Sequence, residues 1–242
     1  MSKKWVVTLA IIFIIVLGAV ALNYRTPTPF LTVEEITEVL NKQNIAHTVT
    51  VLDVLEAEPS YRLVPFTTED GRAGMSYWSF KLSGWKLVGY EWNGSLKIWK
   101  LRPDDPTSYY FVWNFSSQQE VAQMNVFLLQ DRYYSISGDN NQFYTPRVQL
   151  RMDIDFNERL YGLQPIPQEW LTIIEGMTPI QHDSLFSSIL GTPPSYYFGI
   201  QTVDKQGQDV YVETGGQTHW LERQDFQVDY VMDITEDQLE KP

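Results

Sequence analysis

Residues 75–101, MSYWSFKLSGWKLVGYEWNGSLKIWKL, decide how this chain is read. Three runs, 75–82, 85–92 and 95–101, are rich in aromatic and aliphatic residues and are separated by Ser83-Gly84 and Asn93-Gly94. Asn-Gly between such runs is the strongest short hairpin signal, because a tight hairpin turn needs positive φ at both central residues. The stretch predicts three strands of an antiparallel meander. Trp78, Trp85, Trp92 and Trp99 recur every seven residues. Two hairpins of matched length generate that interval, and Gly84, Gly89 and Gly94 argue against a helical heptad.

Pairing Leu82 with Trp85 and Trp92 with Ser95 sorts the side chains by the two-residue period of a strand. Trp78, Phe80, Leu82, Trp85, Leu87, Leu96 and Ile98 form an apolar face expected in the core. The opposite face carries Tyr77, Lys81, Lys86, Val88, Tyr90, Trp92, Lys97 and Trp99. Residues 71–102 hold six basic residues and one acidic, Glu91, a local charge of +5 on an acidic chain. Flat aromatics stack on sugar rings, and lysines attract phosphate or carboxylate. Tyr77, Lys86, Tyr90, Trp92, Lys97 and Trp99 are therefore the candidate ligand-binding residues, with Trp92 and Trp99 as platforms. The plainer alternative is that another part of the chain covers this face and the lysine stems lie over the aromatics.

Outward from the meander, Thr32 and Glu35 make a capping box, with Leu31 able to staple to Ile36. Val33, Ile36, Val39 and Leu40 form the apolar stripe of the helix that follows. Strands are expected at 47–55, 61–67, 109–115, 132–137 and 147–156, with Tyr109, Phe111, Trp113 and Phe115 alternating onto one face of the third. Ser117 to Glu120 reads as a second capping box opening a helix to about residue 129. Helices are expected at 168–175 and 180–190, and a second meander over 196–232.

Residues 5–22, WVVTLAIIFIIVLGAVAL, carry no charge and follow Lys3 and Lys4. Eighteen residues at about 1.5 Å each approach the ~30 Å apolar thickness of a bilayer. The run is read as a single-pass anchor with the N-terminus inside and the C-terminal domain outside the cytoplasm. A signal peptide cleaved at Ala21 is the alternative, and would give a secreted protein. Of 18 basic residues 16 lie beyond the run, with all 30 acidic ones, leaving a formal −14 there. That balance argues against nucleic acid as a partner. Zero Cys excludes disulfides and thiolate metal sites.

No local zinc pair joins His47, His182 and His219, and no nucleophile elbow or phosphate-binding loop occurs. Asp153-Ile154-Asp155 resembles the start of a calcium loop but lacks its Gly and Glu, and alternation makes it a strand. Glu169 and Glu175 are candidate paired carboxylates for glycosidase chemistry, with exposed helix acids the plainer reading. Neither a catalytic residue nor a cofactor is expected. Gly176-Met177-Thr178 followed by Ile189-Leu190-Gly191-Thr192-Pro193 is similar to the helix of small outer-membrane-assembly lipoproteins and β-lactamase-inhibitor-like domains. The similarity covers fewer than twenty residues and implies a helix-then-meander binding module.

The expected fold class is α+β: β-rich antiparallel meanders packed with a few short helices, behind one N-terminal transmembrane helix. The anchor would occupy 1–25, a helix-plus-meander lobe 26–115, and a mixed lobe 116–242, either separate or continuous with the preceding one. The expected function is a non-catalytic binding module at the cell surface, with a protein or an envelope polymer as ligand. An envelope glycan hydrolase and an accessory subunit docking on another membrane protein are the alternatives.

Overall fold

The computed structural model describes residues 27–43, 49–92, 94–136, 142–156, 159–177, 196–212 and 218–240, with Trp5 and Phe13. In chain order the elements are α1 (Val33–Asn41), β1 (Val49–Val51), β2 (Leu55–Glu58), β3 (Tyr61–Thr68), β4 (Ala73–Lys81), β5 (Gly84–Trp92) and β6 (Lys97–Lys100). β7 (Tyr109–Asn114), β8 (Gln123–Gln130), β9 (Tyr133–Ile136), β10 (Gln142–Thr145), β11 (Val148–Asp155) and β12 (Tyr161–Pro165) follow. α2 (Gln168–Met177), β13 (Tyr197–Val203), β14 (His219–Trp220), β15 (Gln227–Tyr230) and β16 (Met232–Asp233) complete the set. The fold is β-rich and largely antiparallel with two short helices.

Three sheets stack. The first runs β1-β3-β4-β5-β14, with β2 also on β3; the second runs β12-β7-β6-β15; the third runs β11-β8-β13-β16. Helix α1 begins at the expected capping box, in which Thr32 N–H donates to Glu35 Oε2 at 2.8 Å. It lays Ile36 and Leu40 on Val64, Phe66, Trp78 and Trp85 of the first sheet, while Val33 points to solvent. The other face of that sheet, with Leu63, Met75, Tyr77 and Val88, meets Trp99, Leu101 and Val112 of the second. The second sheet turns Ile98, Phe111 and Trp113 toward Met124, Val126 and Leu128 of the third and toward Trp170, Leu171 and Ile174 of α2. Covered on both faces, the second sheet needs near-continuous apolar strands, and YYFVWN of β7 supplies one. Each fully buried large side chain contributes about 1.5–3 kcal/mol.

Several expectations are corrected. The first hairpin forms, but the third run leaves it: β6 pairs with β7 and β15, not with β5. Gly94 serves that departure, since a Cβ there would lie 2.0 Å from the carbonyl oxygen of Asn114, where β7 crosses. Asn93 lies outside the described residues. The expected strand 47–55 is interrupted between β1 and β2. The expected helix from Ser117 is one 3-10 turn, capped by Ser116 and Gln119 and ended by Glu120 at φ 52°. Met124, Val126 and Leu128 then follow strand periodicity into the core, with Val121 packed beside them. The expected meander 196–232 is no meander either: β13 joins the third sheet, β14 edges the first, β15 edges the second, and β16 lies parallel to β13. Strands from either side of residue 116 share the first and second sheets. The expected helix 180–190 and most of the motif around Gly176 lie outside the described residues. So does the run 5–22 apart from Trp5 and Phe13; among the described residues no helix is long and apolar enough to cross a membrane.

Candidate functional site

The six residues expected on one ligand face do not share a face. Two features of the backbone divide them. Val88 is an extra residue in β5, because Tyr77 pairs with Gly89 and Trp78 with Leu87. Such a bulge reverses the alternation beyond it. Tyr90 and Trp92 are thereby turned to the α1 side of the first sheet, while Tyr77 stays on the side facing the second. The departure of β6 carries Lys97 and Trp99 into the second sheet. Tyr77, Lys97 and Trp99 are all 0 % exposed, so none is a solvent-facing platform. Tyr90 is buried, and Lys86 and Trp92 are half-buried. His219 stacks on Tyr90 at 5.3 Å and lies 5.0 Å from Trp92. Arg72 sits over Trp92.

The local positive charge is largely neutralised from elsewhere in the chain. Lys81 pairs with Asp225, Lys100 with Asp229, Arg102 with Glu58 and Asp105, and Arg72 with Asp70. Lys97 is the interior case. Its ammonium lies 3.4 Å from Glu91 Oε2 and 3.6 Å over the Tyr230 ring. The Tyr77 hydroxyl donates to Glu91 Oε1 and the Thr218 hydroxyl to Glu91 Oε2, each at 2.8 Å. Burial lowers Lys97 below the ordinary lysine range, with Glu91 pulling it back up. Burial, reinforced by the Glu91 carboxylate, holds the Tyr77 phenol well above its ordinary value. This cluster joins two sheets and is closed to solvent, so its geometry is that of a structural tie.

An open site lies elsewhere, where the second and third sheets part at the edge strands β12 and β11. A groove of about 460 Å³ is lined by Trp113, Ile154 and Phe156, with Asp155, Arg159 and Gln164 among its polar groups. Its form follows from Gly162: a Cβ there would lie 2.2 Å from the Trp113 ring, so only glycine lets the indole lie across β12. Trp113 is 6 % exposed, and among the described residues its Nε1 has no hydrogen-bond partner. Arg159 reaches Asp53 at 3.3 Å and overlies Tyr161, bracing one end. Gln164 Nε2 points to Met152 Sδ.

The sequence reasoning missed this groove. Alternation puts Trp113 and Phe115 on one face of their strand, and both join the same core cluster. The only local signal was a glycine inside a strand, which often marks close backbone approach. A second, smaller hollow of about 360 Å³ lies over Ile98, Tyr196, Phe198 and Tyr230 and is crossed by the Lys100–Asp229 pair. Among the described residues, no group of three or more His, Asp or Glu side chains is placed to hold a metal ion. Glu169 and Glu175 are both exposed on α2. Their six-residue spacing puts them on different faces of the helix, so they do not face each other across a cleft. Asn114-Phe115-Ser116 spells a glycosylation sequon, but Asn114 is buried and its amide is committed to the Phe66 and Gly74 carbonyls.

Comparison of the chain with protein-family models, with curated proteins and with solved structures finds no match.

Proposed function

We propose that this protein is a membrane-anchored binding module without catalytic activity, presented on the outer side of the membrane by residues 5–22. The observation that carries the binding role is the groove over Trp113, Ile154 and Phe156. It combines an apolar floor with a rim of polar side chains, the usual makings of a recognition site. The acidic balance of the region beyond the anchor suits a solvated domain and a neutral or cationic ligand. The anchor suits a ligand in the cell envelope, whether a polymer or a segment of another membrane protein.

The test is binding of the full chain, reconstituted in lipid nanodiscs, to envelope fractions of its native host. An Asp155→Ala, Arg159→Ala, Gln164→Ala variant strips the groove of polar contacts while leaving its floor. Saturable binding by the wild type and at least tenfold weaker binding by a folded variant is the expected result. Equal binding by both would place recognition elsewhere on the molecule.

A further inference from the structure

The ladder between β12 and β7 shows which backbone groups face the groove. Phe115 N–H donates to the Leu160 carbonyl at 2.8 Å, and Ile166 N–H to the Tyr109 carbonyl at 3.1 Å. In an antiparallel pair, alternate residues turn both backbone groups to the partner. The even-numbered residues Gly162 and Gln164 therefore bond to β7, and the odd-numbered Tyr161, Leu163 and Pro165 turn theirs away. Among the described residues β12 ends its sheet, so those groups meet no neighbouring strand there. Pro165, which lacks an N–H, falls on an outward-facing position, where a strand tolerates it. The same five residues line the groove. Across it, β11 is also an edge, but Arg151, Asp153 and Asp155 stand out along it. Charges of that kind discourage strand pairing, whereas β12 carries none.

We infer that the groove binds an extended peptide segment of another protein, added as an antiparallel strand to the open edge of β12. This rests on the binding role proposed above and names the ligand class. The Tyr161 and Leu163 N–H groups donate to the peptide, and the Tyr161 and Leu163 carbonyls accept from it. Main-chain bonds of this kind supply affinity, and pockets for alternate side chains supply selectivity. An apolar peptide residue opposite Gly162 rests against the Phe156 ring and the exposed edge of the Trp113 indole. Asp155 stands exposed on the rim while Arg159 is engaged by Asp53, which favours a neutral or basic peptide over an acidic one.

The experiment uses the full chain in nanodiscs and two probes. One is a displayed library of random ten-residue linear peptides; the other is a tetramer of N-acetylglucosamine. Amide hydrogen exchange is read residue by residue. In the free protein the Tyr161 and Leu163 amides exchange fast and those of Gly162 and Gln164 slowly. A selected peptide should slow Tyr161 and Leu163 and shift the Trp113 indole resonance. N-methylation of alternate peptide amides should weaken binding by roughly tenfold, the worth of one or two lost hydrogen bonds. Leu163→Pro, which deletes an outward N–H and no bond to β7, should do the same. Trp113→Phe, which keeps an aromatic ring, removes the pyrrole half of the indole and leaves every β12 amide in place, gives a second reading should Leu163→Pro fold poorly. Peptide binding without protection at Tyr161 and Leu163 would overturn strand addition. Binding of the sugar tetramer alone, with the indole shifted, would overturn it too and leave the binding role standing. Failure of both probes at the groove would remove both.

Discussion

Lys97 is buried where a lysine is most expensive, and its surroundings show how it is held. The Glu91 carboxylate takes hydroxyl donors from Tyr77 and Thr218 and faces the ammonium, so the charge of each compensates the other. Removing one member of such a pair strands the other. Lys97→Met should cost about 3 kcal/mol, whereas adding Glu91→Gln should recover most of the loss. Urea unfolding of the two variants checks this, and equal destabilisation would deny the pairing. The tyrosines fix the alkaline limit. Burial pushes Tyr61 and Tyr109 up to about 12 and holds Tyr77 well above its ordinary value. An unfolded tyrosine loses its proton near pH 10, so from there to about 12 the folded state holds protons the unfolded state has released. The stability these groups contribute is intact below about pH 10 and is lost as pH rises through the folded values. Lys97, lowered in the fold, acts with the opposite sign below about 10.4 and is neutral to pH above it. The urea midpoint should therefore fall between about pH 9 and about pH 11.5, and a flat profile would contradict these burials.

At the scale of elements, the seam between the first two sheets depends on the crossing of β7 past the end of β5. Asn114 of β7 donates through Nδ2 to the Phe66 carbonyl at 2.9 Å and to the Gly74 carbonyl at 2.7 Å. Asn114→Ala removes two buried hydrogen bonds that tie β7 to the ladder carbonyls of β3 and β4, and should cost about 1–3 kcal/mol. Gly94→Ala, whose Cβ would overlap the Asn114 carbonyl, should be at least as damaging. Thermal unfolding of each variant measures the loss; a shift of under a degree in either would contradict the crossing. The elements set by local chemistry were legible in the sequence: the Thr32–Glu35 capping box, the alternation of Tyr109, Phe111, Trp113 and Phe115, and the first hairpin. What could not be read was set by distant partners. Asn93-Gly94 carries the same letters whether glycine serves a turn or an incoming strand. The Val88 bulge, which moves Tyr90 and Trp92 to the other face, leaves no mark that periodicity can detect. The groove was hidden for the same reason, since it needs β12 to be an edge.

The whole molecule is assembled in a stack whose edges are finished late in the chain. Residues 219–233 place β14 on the first sheet, β15 on the second and β16 on the third. A chain stopped after residue 217 should keep much of its strand content yet lose cooperative unfolding and near-ultraviolet aromatic ellipticity. Calorimetry with circular dichroism measures both, and a sharp transition in the shortened chain would show the stack to be self-sufficient without those edges. A ribosome adds about 5–20 residues per second, and about 100 residues separate the end of β8 from β16. The three half-finished sheets are thus left waiting for on the order of ten seconds in each round of synthesis. For that interval the nascent protein is an adhesive object, its unpaired strand edges open to any other chain.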